Sequence, residues 1–154
     1  MLQIAPAAHH DLDEIRALFR EYSCLVTEAL NFQGFDRELA ALPGDYASPW
    51  GALLLARDGE AVAGCVALRR LDPASGEMKR MYVRDAWRGS GLGRRLALAV
   101  VGEARSRGYR RLLLDTLPKL TAAIALYRSL GFREVPPYLA APTPGAVCFE
   151  LILS

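Results

Sequence analysis

The sequence predicts one α/β domain over residues 1–154, a mixed sheet with helices packed on it. Two observations carry that expectation. Of the 154 residues, 52% are hydrophobic and 23% charged, the balance of a chain that buries a core. Along it, apolar residues switch between strand-like runs and helical spacing in the order β-α-α-β-β-β-α-β-α-β-β, with glycine or proline at many of the joints. No internal repeat, linker or low-complexity segment interrupts that order.

Leu2 to Ala5 is a short strand ended by Pro6. Asp11 followed by Glu14 resembles a capping box, and Ile15, Leu18, Phe19, Tyr22 and Val26 then recur at helical spacing to about Ala29. Asn31 to Gly34 breaks this helix; a second covers Asp36 to Leu42 and stops at Pro43-Gly44. Trp50 to Arg57 and Ala61 to Leu68 are apolar strands joined at Asp58-Gly59, a hairpin signal. Leu71 to Gly76 reads as a turn, and Glu77 to Arg84 as a strand. From Leu92 the pattern is helical, with Leu96, Val100 and Ala104 on one face and Gly108 as its stop. Leu112 to Leu114 is a short buried strand, and Ala122 to Leu130 a helix capped by Gly131. Phe132 to Val135 and Val147 to Leu153 are the last two strands, on either side of a proline-rich loop.

Composition narrows the function. A net charge of +2 is too small to imply nucleic acid from bulk electrostatics. Cys24, Cys65 and Cys148 are odd in number and widely spaced, which argues against a disulfide framework or a zinc site. Each sits among apolar neighbours, so all three are expected to be reduced and buried. No stretch has the apolar length to span a bilayer, and the first residues lack the pattern of a secretory signal. The expectation is a cytoplasmic protein with no membrane, nucleic-acid or metal partner.

The informative stretch is Glu77-Met78-Lys79-Arg80-Met81-Tyr82-Val83, five linking residues, then Gly89-Ser90-Gly91-Leu92-Gly93. A strand leads into a glycine-rich turn that opens a helix. Such a turn exposes backbone N–H groups at the positive end of the helix dipole, an anion site. Lys79, Arg80, Arg84, Arg88, Arg94 and Arg95 cluster around it and add charge for more than one phosphate. A tight structural connection would look the same. Two phosphate-binding rivals differ in spacing. The Rossmann pattern needs a third glycine where this chain has Arg94, although Asp115 imitates its acidic residue; a Walker loop fails for want of any Gly-Lys-Ser/Thr.

Arg88-x-x-Gly91-x-Gly93 resembles the pyrophosphate signature of the GNAT superfamily of acyl-CoA-dependent N-acetyltransferases. Met81-Tyr82-Val83 is similar to the strand that holds pantetheine in that family, and Ala123 to Phe132, ending in Leu-Gly-Phe, to its second motif. The resemblance is strong over roughly residues 50 to 135. It implies a GNAT-like fold with a mostly antiparallel sheet. It also implies transfer of an acetyl group from acetyl-CoA to a primary amine, by direct attack in a ternary complex and without a metal. A non-catalytic acyl-CoA sensor on the same fold is the alternative. Homodimer formation through the C-terminal strands is expected at the level of the family.

On this resemblance the backbone of Gly89, Ser90, Gly91, Leu92, Gly93 and Arg94 takes the pyrophosphate, with Arg88 and Arg94 adding charge. Met81, Tyr82 and Val83 hold pantetheine and donate a hydrogen bond to the thioester oxygen. Tyr127 is the candidate general acid for the departing sulfur, or else a tyrosine packed over the sheet. Glu77, eleven residues before Arg88, is the candidate general base. Its alternatives are a surface ion pair with Lys79, or a water chain doing the work. Arg95 is a further phosphate ligand or a solvated helix residue. Where many relatives place an asparagine, seven residues before the tyrosine, this chain has Leu120, and no role passes to it. Asp115-Thr116 lines the site or makes a structural hydrogen bond.

The acceptor, a small-molecule or peptide amine, enters in this fold beside residues 31–50 and 136–145. Those segments hold Phe32, Phe35, Tyr46, Trp50 and Tyr138, with Asp36, Glu38 and Asp45 as ammonium partners, or with the aromatics merely covering the core edge. His9 and His10 read as exposed loop residues.

Overall fold

The computed structural model describes residues 1–26 and 34–153. Its strands are β1 (Leu2–Pro6), β2 (Ala52–Asp58), β3 (Ala61–Asp72), β4 (Ser75–Val83), β5 (Arg111–Thr116), β6 (Arg133–Val135) and β7 (Val147–Ile152). Its helices are α1 (Leu12–Leu25), α2 (Phe35–Ala41), α3 (Leu92–Ser106) and α4 (Thr121–Ser129), with short 3-10 turns at His9–Asp11, Gly44–Tyr46 and Asp85–Trp87. The element order is the one read from the sequence. The expected helix end at Ala29, together with Asn31 and Phe32, lies outside the described residues.

All strands join one sheet in the order β1-β2-β3-β4-β5-β7-β6, antiparallel throughout except for the parallel pair β4 and β5. Each face buries one apolar cluster. Under α3 and α4 lie Leu54, Val66, Leu68, Met78, Leu96, Val100, Leu112, Leu114 and Phe149. Under α1 and α2 lie Ile15, Leu18, Phe19, Leu39, Leu53, Leu55, Cys65 and Ala67. The spacing of Ile15, Leu18 and Phe19 puts all three on the buried side of α1, and each is 0% exposed.

Three expectations need correction. Asp11 and Glu14 form no capping box on α1: the Asp11 carboxylate accepts from the Ala8 N–H at 2.8 Å and from Arg57 at 2.9 Å, and Glu14 also pairs with Arg57. The pair clamps α1 to β2 instead. The turn expected from Leu71 to Gly76 shrinks to Pro73-Ala74, because β3 runs on to Asp72 and β4 begins at Ser75. Ser75 is buried and accepts from Arg111 at 2.6 Å, while a Cβ on Gly76 would stand 3.0 Å from Leu68 and Tyr109. These small residues serve close packing in a strand rather than a turn. Cys65 and Cys148 are buried as expected, but Cys24 is exposed on α1.

Two irregularities in β4 shape the ground on which a ligand could sit. Between the pairs Ala67↔Lys79 and Cys65↔Tyr82, β4 carries one more residue than β3, and Arg80 there has φ 59°. A non-glycine residue in this left-handed region costs about 1–2 kcal/mol. Two hydrogen bonds from Arg80 to Glu38 of α2, at 2.9 and 2.7 Å, hold it there. Further, β4 and β5 pair only at Ser75, Gly76 and Glu77 opposite Arg111, Leu112 and Leu113. Beyond those residues the strands part.

Candidate active site

Three cavities adjoin one another at this parting. The central one, about 50 Å³, is walled by Tyr22, Lys79, Met81, Asp115, Leu120 and Tyr127 among others. On one side is a cleft of about 450 Å³ bounded by Met81, Tyr82, Val83, Arg88, Gly89, Gly91, Leu92 and Gly93, with Leu120, Ala123 and Leu126 opposite. On the other is a cavity of about 600 Å³ under α2, lined by Phe35, Glu38, Asp45, Tyr46, Arg69, Lys79, Arg80 and the loop residues Leu139 and Thr143. The central cavity shares Tyr22, Met81, Leu120 and Ala123 with the cleft, and Lys79 and Arg80 with the cavity under α2.

The cleft ends at the glycine turn. Gly89 (φ 78°) and Gly91 (φ 87°) adopt left-handed backbone, and Gly91 is the N-cap of α3. The first N–H groups of a helix have no partner within it, so this turn presents donors and a positive dipole end to the cleft. Gly93 faces Leu126 and Val83. Not every expected phosphate ligand lines the cleft. Arg88 does, with its guanidinium turned onto Asp85 at 2.7 Å and the Val83 carbonyl at 3.1 Å. Ser90 bonds the Trp87 carbonyl, and Arg94 lies over Ser129 at 3.2 Å. Arg95 donates to the Leu2 carbonyl at 3.1 Å, on the β1 side. That contact fits neither reading of Arg95: the side chain does not line the cleft, and it ties α3 to β1 rather than standing wholly in solvent.

Tyr127 is 5% exposed and packs between Phe132 and Phe149, with ring centroids 5.8 and 6.4 Å away. Its hydroxyl makes no hydrogen bond among the described residues, and no buried polar side-chain atom lacks a partner, so the oxygen opens on the central cavity. Burial pushes its phenol up, which keeps it protonated at neutral pH. The packing reading and the acid reading of this residue are therefore compatible.

Glu77 is 0% exposed, not a surface residue. One oxygen accepts from Arg69 at 2.6 Å and the other from the Tyr138 hydroxyl, with Lys79 at 4.0 Å. Burial and the Glu77 charge hold the Tyr138 hydroxyl in its protonated form. Burial also draws the Lys79 ammonium below its usual range, offset in part by Glu77. The sequence marks Glu77 as a candidate base or a surface partner of Lys79, but not its enclosure, which depends on the loop that brings Tyr138 over the sheet.

Of the aromatic and acidic residues singled out between positions 31 and 50, Phe35, Glu38, Asp45 and Tyr46 line the cavity under α2. Trp50 does not; it is half-exposed beneath Arg70, 4.2 Å from the ring centroid. Asp36 is exposed outside the cavity, as are His9 and His10. Leu120 lines both the cleft and the central cavity, so the contact there is apolar. Among the described residues no group of His, Cys, Asp and Glu could hold a metal ion, and no helix is long and apolar enough to cross a membrane.

Residues 12–132 match the acetyltransferase (GNAT) family, and the chain belongs to that family. It is an N-acetyltransferase by class. A Schizosaccharomyces pombe protein, called an uncharacterised N-acetyltransferase, is 40% identical over 94% of this chain and 90% of its own length. A Klebsiella pneumoniae structure assigned to the acyl-CoA N-acyltransferases is 30% identical, with TM-score 0.80 over 100% of this chain and 99% of its own. A Salmonella typhimurium acetyltransferase solved with its cofactor acetyl-CoA shares the fold at 22% identity, with TM-score 0.81 over 100% and 95% of the two chains.

Proposed function

We propose that the protein moves the acetyl group of acetyl-CoA onto a primary amine within a ternary complex. The adjoining cavities support this reading: a donor in the cleft and an acceptor in the cavity under α2 meet at the central cavity, where β4 and β5 part. The cleft suits acetyl-CoA, because its walls are largely apolar and it ends at the unpaired N–H groups of α3. The backbone of Gly89, Gly91, Leu92 and Gly93, the turn residues that line the cleft, binds the pyrophosphate, and Arg88 exchanges Asp85 for a phosphate oxygen. Leu92 and Gly93 keep the helix start close to it. Met81, Tyr82 and Val83 present backbone groups that have no ladder partner on the β5 side. Those groups bind the pantetheine arm, and one N–H supports the thioester oxygen.

An amine such as a lysine side chain loses its proton at a cost of about 4–5 kcal/mol at pH 7. That first proton goes to water through the acceptor cavity. Acetyl-CoA supplies the thioester, whose C–S bond breaks as the amine nitrogen forms the C–N bond. Tyr127 donates its hydroxyl proton to the leaving sulfur and regains one, by way of water, from the acylated nitrogen. The products are the amide, free thiol and one released proton. Glu77, enclosed by Arg69 and Tyr138, acts here as the anchor of the acceptor wall rather than as a base touching the amine.

Thiol release by the purified protein, followed with acetyl-CoA across a broad amine panel and with acetyl-CoA binding measured in parallel, tests this. Release with one amine class is the expected result. Binding without release for any amine would favour the sensor, and no binding would sink the proposal.

A further inference from the structure

The acceptor side contains more charge than it needs to hold itself together. Glu38 is spent on the two bonds from Arg80, and Glu77 on Arg69 and Tyr138. Arg37 and Asp45 are exposed at the rim and opposite in sign. Lys79 and Asp115 remain. The nearest carboxylate oxygen to Lys79 is Glu77 Oε1 at 4.0 Å, already held by Arg69, and the ammonium donates no hydrogen bond among the described residues. The Asp115 carboxylate has no hydrogen-bond or ion-pair partner among them either. Because no buried polar side-chain atom is orphaned, both heads open on the cavity whose wall they share.

Their opposition follows from the sheet. The last β4–β5 pair is Glu77↔Leu113, so a ladder two residues longer would set Lys79 against Asp115 as a cross-strand ion pair. The parting of the strands keeps them from closing. Two unlike charges then flank the small cavity that Met81 and Tyr127 also line.

We propose that Lys79 and Asp115 receive the acceptor as a zwitterion, its carboxylate on Lys79 and its amine beside Asp115, which makes the substrate class a free α-amino acid. The two heads face one cavity of about 50 Å³, so the amine and the carboxylate sit close together in the acceptor, as they do on a single carbon. The side chain of the amino acid extends past Lys79 into the cavity under α2, toward Phe35 and Tyr46. A polyamine would instead bring a second ammonium against Lys79 and be repelled. This inference rests on the acetyl-CoA reading above.

The test compares matched pairs: an α-amino acid and the amine left when hydrogen replaces its carboxylate, such as phenylalanine and phenethylamine, or leucine and isoamylamine. Thiol release is measured for each pair, with acetyl-CoA binding followed by calorimetry. Amino acids are expected to lead by tenfold or more in kcat/KM. Lys79→Met should raise KM for the amino acid at least tenfold, remove the preference and leave the acetyl-CoA Kd within twofold, whereas Lys79→Arg should restore part of the preference. Equal use of the decarboxylated amines, or a preference that survives Lys79→Met, overturns the inference. If neither member of any pair turns over, titration of the amino acids into the CoA complex decides: binding lost in Lys79→Met supports the inference, and no binding overturns it. Failure to bind acetyl-CoA is a separate result, which removes the donor reading and this inference with it.

Discussion

Removing the hydroxyl of a buried tyrosine is close to neutral for stability when that hydroxyl bonds nothing in the fold. Tyr127 is such a case: its ring is packed between Phe132 and Phe149, and its oxygen is free to meet a ligand. Tyr127→Phe should therefore keep its Tm and its acetyl-CoA affinity, while turnover falls by about 10²-fold, the scale of a general acid. Equal turnover would return Tyr127 to packing alone. Glu77 should behave in the opposite way. Glu77→Gln leaves Arg69 and Lys79 without their nearest counter-charge, a loss of about 3 kcal/mol for a broken buried pair, or roughly 6–12 °C in Tm. The acidic limb of the kcat/KM profile should survive that change; its disappearance would restore Glu77 as the base. Both side chains were readable from the sequence as candidates. Both are buried; what separates their roles is that Arg69 and Tyr138 hold the Glu77 oxygens, and Tyr138 comes from a loop far away in the chain that leaves no mark on the local spacing.

At the scale of elements, the glycine turn is where a substitution should divide binding from folding. A Cβ on Gly91 meets nothing within 4 Å, so a side chain there has room but must take a backbone with φ 87°. The strain costs about 1–2 kcal/mol, or roughly 2–8 °C in Tm. Gly91→Glu also sets a carboxylate against the site proposed for pyrophosphate. Acetyl-CoA affinity should fall by tenfold or more in a protein whose circular dichroism is unchanged, and full affinity would move the phosphate site away from this turn. Periodicity revealed the elements well: Ile15, Leu18 and Phe19, and likewise Leu96 and Val100, are buried as spaced. The β3–β4 turn is shorter than the sequence suggests because Ser75 and Gly76 are ordinary turn residues, and only the approach of Tyr109 and Leu68 reveals Gly76 as a packing glycine. The bulge at Arg80 and the parting of β4 from β5 had no local signal. They depend on Glu38 and on where the β5 ladder stops.

For the whole molecule, α1 is both a wall of the cleft that ends at the glycine turn and a part fastened at two ends. Tyr22 and Leu25 line the cleft. Near the helix start, Asp11 and Glu14 grip Arg57 of β2; near its end, Glu21 accepts from Arg84 at 3.0 and 2.6 Å and from Tyr82 at 3.1 Å. Hydrogen bonding holds the carboxyls of Asp11 and Glu21 below their usual range. For Asp11 the Ala8 N–H is the main cause, and for Glu21 it is Arg84. A depressed folded-state pKa means stability that is complete above the unfolded values, near 3.8 and 4.5, and is lost as pH falls through the lower folded ones. Tm should thus stay level from neutral pH down to about 5 and drop below it. Glu21→Gln should lower the neutral-pH Tm by roughly 2–4 °C, the scale of a partly exposed ion pair, and make the acid drop shallower. If α1 must stay seated to form the cleft, the same variant weakens acetyl-CoA binding at pH 7, although Glu21 touches no proposed ligand atom. An unchanged Kd alongside the lower Tm would show that α1 tolerates a loosened end, and that Met81, Tyr82, Val83 and the glycine turn hold the donor by themselves.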